Sequence, residues 1–125
     1  MSRLLGKHGA STKSDGDAAE NIAERYLVAR GMTCLARNYR SRFGEIDLIM
    51  NHDKCLVFVE VRLRKNVRFG GAGASISQSK QQRIIAAAQH YLSGMRSIPP
   101  CRFDALLMNE LSDRGIEWIK DAFGT

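Results

Sequence analysis

Apolar and polar positions repeat along the chain with two different periods, which predict a series of helices and strands. Residues 15–31 and 76–94 repeat apolar side chains every three to four positions, as one face of a helix does. A short final strand is expected within 115–123. Four further stretches are short, apolar and bounded by turn residues, which is typical of strands: 33–40, 44–50, 55–64 and 101–108.

The order of these elements is α, β, β, β, α, β, followed by the short final strand. This order predicts a mixed α/β fold in which helices flank a central mixed sheet. The link 51–54 is short enough to join the second and third strands as an antiparallel hairpin. We expect one domain over 15–125, preceded by a flexible basic arm over 1–14.

The third predicted strand carries charged side chains inside an apolar run, L-V-F-V-E-V-R-L-R. Because side chains alternate along a strand, Glu60 and Arg62 share a face with Phe58. Asp47 has a similar apolar setting, I-D-L-I, on the preceding strand. With a hairpin turn centred on 52–53, Asp47 lies opposite Phe58. Glu60 is then its diagonal neighbour, at ~7–8 Å between backbones.

Two carboxylates this close repel each other, and isolated carboxylates are costly to bury. A hard cation such as Mg²⁺ or Mn²⁺ offsets both costs, since it binds carboxylates, carbonyls and water. The carbonyl of Val61 could be a further ligand, and Glu20 on the first helix could supply another acid. The alternative is an ion pair between Glu60 and Arg62 on a solvated face, and alternation alone leaves both interpretations open.

Composition adds a possible partner and excludes some classes of protein. The chain has 19 Lys and Arg against 13 Asp and Glu, a net charge of +6, which favours a polyanion such as DNA, although basic charge also serves solubility. Its apolar runs are too short for a membrane span. Three cysteines without a C-x-x-C pair argue against zinc and fit a reducing cytoplasm.

Several motifs together resemble a known family. They are A-E-N-I-A-E-R-Y-L-V-A-R-G, A-R-N-Y-R, G-E-I-D-L-I, F-V-E-V-R, A-x-x-Y-L and C-R-F-D. This set is similar to the YraN-like bacterial proteins, described as uncharacterised or as endonucleases related to archaeal Holliday junction resolvases. G-E-I-D-L-I followed by V-F-V-E-V-R also resembles the D…(D/E)-x-K signature of the PD-(D/E)XK superfamily. The resemblance covers roughly residues 15–123 and implies a restriction-endonuclease-like three-layer core.

The resemblance also implies roles for particular residues. Asp47 and Glu60 match the metal-binding acids, and Glu20 matches an acid that resolvase-like members carry on their first helix. The lysine of the signature is replaced by Arg62, which can stabilise charge on phosphate but cannot act as a base. Lys80 lies on the apolar stripe of the second helix and could substitute. The alternative is a surface lysine whose ammonium reaches solvent.

Two basic stretches are candidates for contacts with a nucleic-acid backbone. The glycines of 70–73, within the glycine-rich segment 65–75, would let a loop approach a duplex closely. For each basic residue, solvated surface charge is the alternative. The candidates are Arg37, Arg40, Arg42, Arg64, Lys65 and Arg68.

The sequence therefore predicts a cytoplasmic, Mg²⁺-dependent endonuclease acting on DNA, with branched DNA among the candidate substrates. Two alternatives stay open, a nucleic-acid-binding module of the same fold without turnover and a protein–protein adaptor. A homodimer is implied by the resolvases alone, since no sequence feature marks a dimer interface.

Overall fold

The computed structural model describes residues 7–64 and 76–124, with side chains from residue 14 onward. The predicted order of elements is confirmed, including the final strand. The elements are α1 (Lys7–Val28), β1 (Met32–Ser41), β2 (Gly44–His52), β3 (Cys55–Leu63), α2 (Gln78–Leu92), β4 (Cys101–Met108) and β5 (Glu117–Phe123). In this part of the chain, neither helix is both long and apolar enough to cross a membrane.

The five strands form one mixed sheet in the order β1-β2-β3-β4-β5. Neighbouring strands are antiparallel except β3 and β4, which are parallel. Parallel neighbours need a long crossover connection, and α2 lies within it. This arrangement confirms the predicted mixed sheet flanked by helices.

The two helices cover opposite faces of the sheet. On β3, Val57 and Val59 pack in the layer that includes α1, whereas Leu56 and Phe58 pack in the layer that includes α2. This alternation explains why β3 is apolar on both faces. The helices contribute their own buried side chains to these layers, Ala23 and Leu27 from α1 and Ile84, Ala87 and Ala88 from α2.

Helix α1 is longer than the amphipathic pattern predicted. It begins at Lys7 rather than at residue 15, because apolar periodicity detects only the turns that pack on the sheet. It ends at Val28, and Gly31 in the following turn has a φ of 95°, a conformation that glycine adopts at little cost. Of the predicted basic arm, residues 1–6 lie outside the described residues.

The register predicted for the β2–β3 hairpin is wrong. His52 pairs with Cys55, so the two loop residues are 53–54, and Asp53 has the positive φ (60°) that such a turn often needs. As a result Ile49 pairs with Phe58. One step further along this register, Asp47 faces Glu60 directly instead of diagonally.

The tip of the β1–β2 hairpin lies against α2. Ser41 pairs with Gly44 across a two-residue loop. A Cβ atom added at Gly44 would lie 2.8 Å from the backbone oxygen of Arg83 and 3.1 Å from its Cβ. Glycine at this position is therefore required for the close approach of hairpin and helix.

Asp104 on β4 joins the last two strands. It is fully buried, and its carboxylate accepts hydrogen bonds from Arg102 (2.9 and 3.2 Å), from the indole of Trp118 (2.9 Å) and from the backbone N–H of Asp121 (2.9 Å). A buried carboxylate is tolerated when it is paired and hydrogen-bonded. The C-R-F-D motif is therefore structural.

We expect Gly44→Ala to lower the free energy of unfolding by about 1–3 kcal/mol, since the added methyl group meets backbone that cannot easily move. Gly94→Ala is the matched control, because a Cβ there meets no atom within 4 Å. Urea titrations of both variants measure the change. Equal midpoints for the two variants would contradict the close contact at Arg83.

Candidate functional site

Strands β2 and β3 separate at the position of two acids, Asp47 and Glu60. Their pairing runs from His52–Cys55 to Leu48–Val59 and ends there, although β2 begins at Gly44 and β3 continues to Leu63. Beyond that point the backbone N–H of Val61 donates a hydrogen bond to Asp47 Oδ2 at 2.9 Å. We call this opening the fork. A side-chain carboxylate takes the place of a backbone partner there.

Asp47 is the acid most affected by this setting. Burial, followed by the negative charge of Glu60, raises the pKa of Asp47 to about 7 from an ordinary value of 3.8. The hydrogen bond from Val61 and the positive charge of Lys80 oppose that rise in pKa. The two carboxyl groups also interact electrostatically, so the loss of a proton from one affects the pKa of the other.

Glu60 is surrounded by cations as well as by Asp47. Its side chain is 3% exposed, with Lys80 Nζ at 3.8 Å and Arg62 Nη1 at 3.9 Å from its Oε2 atom. Burial raises the pKa of Glu60, and the charges of Lys80 and Arg62 act against it. An ion pair between Glu60 and Arg62 therefore exists, but Glu60 does not lie on a solvated face. Lys80 extends towards the acids rather than only along the surface.

Glu20 approaches the same region from α1. It is 9% exposed, and its Oε1 atom is buried without a hydrogen-bond partner among the described residues. Arg37 Nη2 lies 3.6 Å from that oxygen. Burial, and then the negative charge of Asp47, raises the pKa of Glu20. Two further acids thus interact electrostatically with Asp47, Glu20 from the helix and Glu60 from the strand.

The donor set at the fork fits Mg²⁺. Within residues 7–64 and 76–124, no three His, Cys, Asp or Glu side chains are close enough to share a metal ion, so a site here would use the two carboxylates of Asp47 and Glu60. From strand geometry, the carbonyl of Val61 is expected on the same side as its N–H, beyond the last β2–β3 pair. Mg²⁺ commonly takes one or two carboxylates and keeps several waters. The carboxyl group of Glu20, which forms an ion pair with Arg37, is a further acid in this region.

The basic residues that were predicted to contact nucleic acid differ in their contacts within the protein. Arg37 donates to Asn21 at 2.7 Å and lies between Glu20 and Glu24, so it fastens α1 to β1. Arg64 is 19% exposed and contacts Asn109 and Glu117. Arg40 and Arg42 are exposed at the tip of the β1–β2 hairpin, whereas Lys65, Arg68 and the glycines of 70–73 lie outside the described residues.

The sequence pattern did not identify Arg83 and Phe43 as neighbours at the tip of the β1–β2 hairpin. Arg83 lies on α2 against the hairpin tip, and Phe43 is exposed in the hairpin loop. A usable signal was present, because a two-residue hairpin loop made of Arg42 and Phe43 lacks the glycine, asparagine or aspartate that such loops favour.

Comparison with known proteins places this chain among relatives. The model of the uncharacterised protein family UPF0102 matches residues 19–108. The chain belongs to UPF0102. A UPF0102 protein of Methylobacillus flagellatus is 54% identical over 111 residues, 89% of this chain and 97% of the relative. UPF0102 proteins of Nitrosospira multiformis (53% over 108 residues, 86% and 91%) and Saccharophagus degradans (49% over 116 residues, 91% and 96%) are also similar.

The part of the chain that matches the UPF0102 model contains the whole fork. Residues 19–108 include the three acids and Lys80, as well as the hairpin tip. Strand β5 lies beyond the match.

In metal-free buffer, Asp47→Asn should stabilise this UPF0102 protein more at pH 8 than at pH 5. The raised pKa means that the folded state holds a proton that the unfolded state releases. The resulting stability is complete below about pH 3.8 and is lost as pH rises to about 7. Asparagine keeps a neutral acceptor for Val61 and carries no charge.

Differential scanning fluorimetry at both pH values, in the presence of a chelator, measures this difference. Asp113→Asn, which changes an exposed carboxylate, is the matched control. A melting-temperature difference between Asp47→Asn and wild type that is the same at both pH values would refute the raised pKa.

Proposed function

We propose that this protein is a Mg²⁺-dependent endonuclease that hydrolyses phosphodiester bonds in DNA, with branched DNA as the first substrate class to test. One observation carries the proposal: a half-buried carboxylate, Asp47, and a buried one, Glu60, lie side by side at the fork with Lys80 next to them. A fold gains no stability from two carboxylates that repel each other in a partly buried setting, so the arrangement is typical of a functional site.

In the proposed reaction, water attacks phosphorus and the bond to one ester oxygen breaks, giving a phosphate monoester and a free hydroxyl group. Asp47, Glu60 and the carbonyl of Val61 would hold the metal ion. Bound there, Mg²⁺ would polarise a phosphate oxygen and make a water molecule a better nucleophile. Because Asp47 keeps its carboxylate against the N–H of Val61, its second oxygen is left for a ligand.

The cations beside Glu60 would stabilise the charge that develops on phosphate. Lys80 Nζ and Arg62 Nη1 lie at similar distances, 3.8 and 3.9 Å, from the same carboxylate oxygen. Lys80 comes from α2 and Arg62 from β3, so a lysine reaches the site from a different element than in the D…(D/E)-x-K signature. The pairing with Lys80 supports turnover despite the arginine in the lysine position.

A second candidate is a nucleic-acid-binding module without turnover. It is favoured by the same ion pairs, because Lys80 and Arg62 neutralise Glu60 without a metal ion. The net charge of +6 supports nucleic acid as the partner in both cases. Metal-dependent cleavage separates the two candidates.

We expect Asp47→Asn and Glu60→Gln each to slow cleavage by roughly 100-fold or more, since losing a metal-binding charge removes several kcal/mol of transition-state stabilisation. The assay is single-turnover cleavage of linear, flapped and four-way DNA with Mg²⁺ or Mn²⁺. Asp113→Asn and Glu110→Gln make the same chemical changes at exposed positions and should cut like wild type.

Cleavage by neither wild type nor the controls, together with salt-dependent DNA binding, would support the binding module and reject the nuclease. Equal cleavage by wild type and both acid variants would also reject it. Calorimetric titration with Mn²⁺ adds a readout that does not depend on cleavage, and both acid variants should bind Mn²⁺ less tightly.

Arg62→Lys should keep or increase cleavage, because lysine preserves the charge and matches the signature, whereas Arg62→Ala and Lys80→Ala should each reduce it. The measurement is the single-turnover rate, with melting temperature as the folding control. A folded Arg62→Ala protein that cuts at the wild-type rate would exclude a catalytic role for this side chain. A variant that only melts earlier would assign Arg62 to stability.

A further inference from the structure

The loop at the tip of the β1–β2 hairpin has a composition that turn geometry does not explain. Arg42 and Phe43 form the two-residue loop between Ser41 and Gly44. Outside glycine, the described residues with positive φ are Asn38, Asp53 and Asp121, so neither loop residue has one. Phe43 is nevertheless 43% exposed. A large apolar side chain at a loop tip gains little from folding, which suggests that it serves a partner.

Hydrogen bonds within the loop fix the backbone position of Phe43. Its backbone N–H donates to Ser41 Oγ at 3.1 Å, and that hydroxyl donates to the carbonyl of Gly44 at 3.2 Å. The close approach of Gly44 to the backbone of Arg83 holds the tip against α2. The backbone that carries the ring is therefore held in place before any ligand arrives, which lowers the entropic cost of binding.

Two hollows flank the ring of Phe43. One, of about 310 Å³, is largely apolar and lies between Phe43 and α2, with Ala86, Gln89 and His90 in its wall. The centroid of the His90 ring is 6.0 Å from that of Phe43. This hollow offers aromatic and apolar surface, as a site for a flat ring does.

The second hollow, of about 400 Å³, is basic. Its wall contains three arginines, Arg40, Arg42 and Arg83, against one acid, Glu45. The guanidinium carbon of Arg42 lies 5.1 Å from the centroid of the Phe43 ring. Arginine recognises phosphate through paired N–H donors. An aromatic surface and a phosphate-binding surface thus meet at one side chain.

The surface formed by Phe43 and its two flanking hollows, called the patch, is close to the fork along β2. Glu45 lies in the wall of the basic hollow and two positions before Asp47 on β2, so the two regions adjoin each other. Phe43 directly precedes β2 and lies four positions before Asp47, so the two residues are at most about 13 Å apart along the chain. That distance corresponds to about four nucleotides of a stacked strand at ~3.4 Å each.

We propose that Phe43 is a stacking platform for an unpaired base of the nucleic acid, whose phosphates lie on Arg40, Arg42 and Arg83. The inference rests on the proposed function and adds to it a preference for DNA with single-stranded segments. A base inside a duplex is covered on both faces and cannot lie on Phe43, whereas a base in a flap or at a branch can. The excess of arginine over acid makes a nucleic acid a better match than an apolar peptide.

The test measures binding without cleavage, in the presence of a chelator. Fluorescence anisotropy gives the Kd of the full chain for a blunt duplex and for the same duplex with a single-stranded flap. Phe43→Ala should weaken flap binding by roughly 5- to 150-fold and change duplex binding less than twofold. Phe43→Trp should keep wild-type affinity for the flap. Leu35→Ala is the matched control, because Leu35 is also an exposed apolar residue but lies on β1, away from the loop. This variant should leave both affinities unchanged.

A flap labelled with 2-aminopurine reports stacking directly. Its fluorescence should fall when wild type or Phe43→Trp binds, and should stay high with Phe43→Ala. Equal losses on flap and duplex would overturn the stacking role in favour of a general contact. Unchanged affinities for Phe43→Ala would also overturn it and leave the patch to a protein partner. Failure of wild type to bind either DNA would instead reject the proposed function, so the two failures are distinguishable.

Discussion

The hydrogen bond between the Val61 N–H and the Asp47 carboxylate is the interaction on which the rest of the site depends. It replaces a backbone pair, so β2 and β3 part where two acids face each other. The backbone of Val61 stays partly satisfied, which keeps the cost of opening the sheet small. Without that side-chain partner, β2 and β3 could continue to pair and close the space that a ligand would need. The fork is therefore maintained by the same carboxylate that is proposed to act in it.

Each of the two acids near Asp47 forms an ion pair with at least one cation. Arg37 faces Glu20 on the α1 side, and Lys80 and Arg62 face Glu60 on the α2 side, with Asp47 between the acids. Asp47 has no cation within ion-pair distance among the described residues, and burial raises its pKa most clearly. Burial also raises the pKa of Glu20 and Glu60, but each of these acids has a cation at ion-pair distance. Asp104 shows the contrasting solution, since its hydrogen bonds satisfy a fully buried carboxylate and serve only the fold.

The sequence was sufficient for the order of the elements, because each of them has a clear apolar period or a clear turn at its ends. It also identified the acid pair, since charges inside an apolar strand are conspicuous. The register between Asp47 and Glu60 was missed, because moving a hairpin turn by one residue changes every cross-strand pair. The first turns of α1 were missed because no apolar stripe marks them. The contact of Gly44 with Arg83 joins two distant elements, and local pattern carries no signal for it.

The parallel pairing of β3 with β4 has a consequence for how the site assembles. Asp47 and Glu60 belong to one hairpin, a unit that can form in about 1–10 μs, whereas Lys80 arrives only when the crossover through α2 closes. The hairpin can therefore bring the two carboxylates together, with Arg62 beside Glu60, before Lys80 reaches them. Their repulsion acts on the open end of the hairpin and opposes its closure beyond Leu48 and Val59. The order of assembly would thus leave the gap between the strands in place, ready to be lined by α2 when the helix docks.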